Sequence, residues 1–146
     1  MLIKLEENLA QKEIEVLIKY ARKNHTVDRL ISLIKSADCS INCRDDSRQL
    51  KISAVDIYYI ESVDKKTYVY CEKSVYRTEL RLYELLNMLS NLGFVQISKS
   101  CIVNINVLDS IKPLANSHIE ATLMNGERIT VTRKYIADIK TKLQER

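Results

Sequence analysis

The sequence predicts a mainly antiparallel β protein with helices at its periphery. Three observations carry that expectation. From residue 40 onward, short runs rich in Val, Ile, Thr and Tyr recur between turn residues. Asn125-Gly126 lies between two such runs and is the strongest short hairpin signal in the chain. Only one internal stretch, residues 80–92, has helical spacing, so the repeated strand–helix alternation of a doubly wound parallel sheet is missing.

In chain order, residues 2–6 alternate apolar and charged, which fits a short strand. Residues 11–35 contain neither Gly nor Pro, and Ile14, Leu17, Ile18 and Ala21 mark one helical face. Thr26 is the expected cap of a second helix with Leu30, Ile31 and Ile34 inward. Strands are expected at 40–44 and 49–52 around an Asp45-Asp46-Ser47 turn, then at 57–62, 67–72 and 74–78. Thr78 is the expected cap for the 80–92 helix, whose stripe is Leu82, Leu85, Leu86 and Leu89. Gly93 ends it, because glycine accepts the left-handed conformation at a helix terminus. Val95 and Ile97 alternate as a strand, and 101–105 is a buried run. A strand over 108–114 ends at Pro113, strands at 118–124 and 127–132 form the hairpin, and a last helix covers 135–143.

Length and composition fit one soluble domain, or one domain with an extension. The chain has 146 residues, 46% apolar and 29% charged, with a formal net charge of +4. That balance permits nucleic-acid binding and equally fits a solvated lysine-rich surface. The two glycines cannot make a phosphate-cradling loop or a dinucleotide fingerprint. Cys39, Cys43, Cys71 and Cys101 form no Cys-x-x-Cys pair, and neither His25 nor His118 stands at ligand spacing from them, so no zinc or other cofactor is expected. Asp45, Asp46 and Asp64 read as turn residues, and no nucleophile–base pair can be argued, so no enzyme reading has support. Charge begins at Lys4, and no apolar run reaches bilayer length; a cytoplasmic protein with reduced thiols is the expectation.

What remains is basic and hydroxyl residues at chain reversals. Lys65, Lys66 and Thr67 stand at one, Ser98, Lys99 and Ser100 at a second, and Arg133 and Lys134 at a third. Each alone is also what a plain polar turn looks like. Together they fit loops that read a duplex. The planar fork of Arg133 matches guanine O6 and N7, whereas Lys99 and its serines suit phosphate. No aromatic motif for stacking unpaired RNA bases is present.

Residues 56–62, 94–104 and 125–135, in that order and spacing, resemble the LytTR DNA-binding domain of bacterial transcription regulators. The resemblance covers residues 40–146. It implies short antiparallel sheets stacked in an elongated body and loops inserted into successive major grooves of double-stranded DNA. Carried over by position, the DNA-facing residues are Lys66 and Thr67, then Lys99 with Ser98 and Ser100, then Arg133. The family often has Arg at the place of Gln96, and His or Arg at the place of Lys66-Thr67, so a different target sequence is expected on the same fold. Residues 1–39 lack the strand–helix alternation of a receiver domain. They read as a strand and helical extension for dimerisation or regulation. The resemblance then points to the stand-alone subgroup, whose members are often controlled by a multi-pass membrane protein. A homodimer on a repeated site is expected. The rival reading is a protein-interaction module bound to that membrane partner, with incidental DNA affinity.

Overall fold

The computed structural model describes residues 1–144. Ten strands and three helices follow the first 24 residues. Helix α1 is His25–Ala37. Strands β1 (Ser40–Arg44), β2 (Gln49–Ser53), β3 (Ile57–Val63), β4 (Lys66–Cys71) and β5 (Val75–Thr78) precede helix α2 (Leu82–Leu89). After it come β6 (Phe94–Ser98), β7 (Cys101–Asn104), β8 (Leu108–Pro113), β9 (Ile119–Leu123), β10 (Arg128–Val131) and helix α3 (Ile136–Gln144). The fold is thus mainly β, as the strand-type runs predict.

Two antiparallel sheets result. One has seven strands in the order β2-β1-β5-β4-β3-β7-β6; the other has three, β10-β9-β8. Strands β3, β6 and β7 are buried on both faces, which is why Cys101, Ile102 and Val103 read as a continuous apolar run. Ile60, Val69, Phe94 and Ile102 face one way, into a core shared with Leu85 and Leu89 of α2. Tyr59, Val95, Ile97 and Val103 face the other way, into a second core with Ala121, Leu123 and Val131 of the small sheet and Ile139 of α3. The period of two places successive residues in different cores.

Helix α1 packs on this body. Its Val27 and Ser36 are buried, and the Ser36 hydroxyl donates to the Leu92 carbonyl at 3.5 Å. The Ala54 amide donates to the Cys39 carbonyl at 2.8 Å, fixing the entry into β1.

The N-terminal expectations need correction. Residues 2–6 form no strand, and 11–24 form no helix. The helix begins only at His25, capped by Asn24, whose Oδ1 accepts from the Val27 amide at 3.0 Å, and not by Thr26. Ile34 points outward and is 38% exposed. Thr78 does not cap α2 either. Its Oγ1 donates to the Asn42 carbonyl at 2.9 Å and accepts from Leu80 at 3.3 Å, while the Arg81 amide at the helix start is satisfied by Glu84 Oε1. Gly93 does stop the helix, at φ 87°.

Candidate nucleic-acid interface

Three chain reversals meet at one end of the body. The first joins β3 to β4. Val63 and Lys66 are paired, so only Asp64 and Lys65 make the turn, and both have positive φ, 52° and 64°. A two-residue hairpin turn with positive φ at both centres matches the twist of its strands, but it usually recruits Asn or Gly. Asp tolerates this conformation; Lys65 is held in it at a cost of order 1–3 kcal/mol. The strain projects Lys65 and Lys66 into solvent, both exposed.

The second reversal joins β6 to β7 through Lys99 and Ser100. A register shift between Gln96 and Ser98 tightens it. The Ser100 amide donates to Ser98 Oγ at 3.3 Å, and Gln96 Nε2 donates to the Lys99 carbonyl at 3.5 Å. Lys99 is left exposed on a braced turn. The Ser62 amide donates to the Ser100 carbonyl at 2.8 Å, so the first two reversals are fastened edge to edge.

The third is the step from β10 into a short 3-10 turn, Arg133–Tyr135, that leads into α3. Thr132 fixes it: its amide and its Oγ1 both donate to the Ile97 carbonyl, at 3.0 and 3.3 Å. Arg133, next in the chain, is thereby set beside the residue that precedes Ser98. Arg133 and Lys134 are exposed, and Lys134 Nζ lies 5.7 Å from the centre of the Tyr135 ring.

The structure therefore brings the three loops singled out in the sequence to a common rim. Among the described residues, Lys65, Lys66, Lys99 and Arg133 have no carboxylate partner. A rim of uncompensated cations on turns fixed by backbone hydrogen bonds is suited to a polyanion. Thr67 is the exception. It is the first inward residue of β4, only 5% exposed, and its side chain is turned from the rim toward the core because Lys66 points out. Ser98 and Ser100 are half-buried and serve first to shape their own turn. Sequence reading did not find that Thr132, Gln96 and Ser62 position the loops; no local pattern announces a contact such as Thr132 to Ile97, 35 residues away.

The opposite end of the small sheet is anchored differently. The Asn125-Gly126 turn closes the β9–β10 hairpin, with Gly126 at φ 86°. Asn125 Nδ2 donates to the Glu72 carbonyl at 3.0 Å, and the Tyr59 hydroxyl donates to Glu127 Oε1 at 2.5 Å. Tyr59 stacks on Tyr70 with ring centres 4.2 Å apart. The hairpin is thus held at both ends, and Arg133 rides on a fixed element. Among the described residues no cluster of His, Cys, Asp and Glu is suited to a metal ion. Burial pushes the Cys101 thiol up to about 12 and the Cys43 and Cys71 thiols to about 11, which leaves them protonated and inert at neutral pH. No helix among the described residues is long and apolar enough to cross a membrane.

Comparison with known proteins bears on the fold. The profile of the LytTr DNA-binding domain matches residues 47–144. The sensory transduction protein LytT of Bacillus anthracis is 27% identical over 139 residues, which is 92% of this chain and 56% of that protein. LytT of Enterococcus faecalis is 24% identical over 71% of this chain and 43% of its own length. The transcriptional regulatory protein YpdB of Escherichia coli K12 is 31% identical over 53% of this chain and 32% of its own. The chain thus spans about half, or less, of the length of these relatives. A solved structure, the LytTr DNA-binding domain of a putative methyl-accepting/DNA response regulator from Bacillus cereus, superposes with a TM-score of 0.67 at 27% identity, over 71% of this chain and 95% of that one. With a profile match over most of its length, and sheets and loops arranged as described, the chain belongs to the LytTr DNA-binding domain family.

Proposed function

We propose that this protein is a sequence-specific, double-stranded DNA-binding transcription regulator that works in the cytoplasm of a bacterium. The observation that carries the reading is the rim. Two separate sheets deliver Lys65 and Lys66, Lys99, and Arg133 and Lys134 to one edge, and hydrogen bonds from Ser62 and Thr132 hold the three loops together. Lys65, Lys66 and Lys99 contact phosphate and set the register. Arg133 enters a major groove and reads a guanine, and the other loops follow the duplex to the next groove. Residues 40–146 carry this task. Residues 1–39 serve dimerisation or regulation, and only residues 1–24 stand clear of the body.

A single domain of this size covers a short site, so a homodimer on a repeated site gains affinity and specificity together. The exposed apolar residues of the N-terminal arm favour a second reading, in which contact with a membrane partner is the main task and DNA affinity is incidental.

Selection of duplexes from a random-sequence library separates the two. The first reading expects one enriched sequence, found as a repeat with half-sites about 10 bp or a multiple of it apart. Equal binding to every duplex, with no enrichment, contradicts it and favours the second.

A further inference from the structure

The N-terminal arm carries a pattern that the body does not use. Most of the exposed large apolar side chains among the described residues lie in residues 1–20, including Ile14 at 94% and Leu17 at 75% exposure. The body closes both its cores without them. The arm also contains a reversal: the Gln11 amide donates to the Asn8 carbonyl at 2.9 Å, and Asn8 Oδ1 accepts from the Ala10 amide at 3.0 Å. On either side of this turn the sequence alternates with period two. Ile3 and Leu5 precede it; Ile14, Val16, Ile18 and Tyr20 follow.

Counting outward from the turn gives one hairpin register. Leu5 falls opposite Ile14, Ile3 opposite Val16 and Met1 opposite Ile18, while Lys4 meets Glu15 and Glu7 meets Lys12. Only Glu6 against Glu13 runs counter to it. The second strand is in addition complementary to itself. An antiparallel pairing of two copies about Leu17 sets Val16 against Ile18, Ile14 against Tyr20 and Glu15 against Lys19. Leu17 then meets Leu17 on the two-fold axis, as an isologous contact requires. Val16 with Ile18 and Ile14 with Tyr20 lie on one face, since directly opposed residues share a face, while Leu17 with Leu17 and Glu15 with Lys19 lie on the other. A lone two-stranded hairpin is marginal in water, which agrees with the absence of any ladder in residues 1–24 of the single chain. Two hairpins joined at the second strand make four strands with one continuous apolar face.

We infer that residues 1–20 form an intermolecular sheet with the same residues of a second copy, joined antiparallel about Leu17 with Glu15 and Lys19 paired across the axis. The arm's balance of Glu6, Glu7, Glu13 and Glu15 against Lys4, Lys12 and Lys19 selects a copy of itself over an anionic membrane or DNA, either of which would call for a cationic strand. The inference rests on the proposed doubling of the DNA-binding unit but is read without DNA.

The test is the molar mass of the full chain in solution, by sedimentation equilibrium. Wild type is expected at twice 16.9 kDa. Lys19→Glu alone and Glu15→Lys alone each put like charges across the axis, and each is expected at the mass of one chain. Mixed one to one, they restore both ion pairs, and the doubled mass returns as a heterodimer. Both positions are exposed in the single chain, so neither change touches the body. A monomeric wild type, single variants that stay dimeric, or a mixture that stays monomeric would each overturn the inference. Arg133→Ala leaves the mass unchanged whichever way DNA binding turns out, so the two proposals fail separately.

Discussion

The Tyr59 hydroxyl donates to Glu127 Oε1 at 2.5 Å, joining residues 68 apart and coupling the two sheets. Tyr59 is on β3, an inner strand of the large sheet, and Glu127 follows the turn of the hairpin that leads to Arg133. The bond holds the far end of a short lever whose near end is the rim. It also keeps the Tyr59 hydroxyl protonated: burial, then the Glu127 hydrogen bond, raise its ionisation far above the usual tyrosine range.

Tyr59→Phe keeps the stack on Tyr70 and removes only the donor. Loss of a hydrogen bond to a charged group costs about 1.5–3 kcal/mol. Urea unfolding of the variant is expected to show that loss with an unchanged slope. A midpoint equal to wild type would mean that Glu127 finds water as good a partner.

The two glycines are expected to differ on substitution. Both have positive φ, so Ala at either place is strained by roughly 1–2 kcal/mol. At Gly126 nothing lies within 4 Å of an added Cβ, and strain is the whole effect. At Gly93 the Cβ meets Asn106 Nδ2 at 2.9 Å and Ser32 Oγ at 3.4 Å, so Asn106 has to move as well. Gly93→Ala is therefore the more destabilising of the pair in thermal unfolding; the reverse order would show that Asn106 yields freely.

Much of the β body was legible because each strand is bounded by turn chemistry. Strand β1 lies where the run from Ser40 to Arg44 put it, and Asn125-Gly126 and Gly93 act as their residue types require. The arm was misread because residues 14–21 satisfy two periods at once. Ile14, Leu17, Ile18 and Ala21 fit a helix, and Ile14, Val16, Ile18 and Tyr20 fit a strand; the stripe alone does not decide. The rim residues were legible as basic turns, but their assembly was not. It depends on Ser62 with Ser100 and Thr132 with Ile97, backbone contacts that no side-chain pattern encodes. Thr67 was misjudged as a surface residue because one step of strand register decides which way it points.

Alkaline pH should weaken the fold. Unfolded, Cys101 ionises near its ordinary 9.0; folded, burial first and then the charges of Glu61 and Glu127 hold it to about 12. The folded chain keeps a proton that the unfolded chain releases, so stability is complete below about 9 and falls as pH rises toward 12. Cys43 and Cys71, held to about 11, add to the fall. Cys101→Ala is expected to be less stable at pH 7 yet to lose stability less steeply between pH 9 and 11. An equally steep decline in the variant would remove Cys101 from the account.

The rim itself is tested most directly by titrating Arg133→Ala, at one fixed salt concentration, against the duplex enriched by selection and against random duplex of the same length. Lys99→Ala is the internal reference: as a phosphate contact it should weaken both duplexes alike and reduce the magnitude of the log–log salt slope by about 1. The account predicts that Arg133→Ala loses about 1–3 kcal/mol on the enriched duplex and much less on the random one. An equal loss on both, or none on either, would contradict the placing of Arg133 as the residue that reads the base.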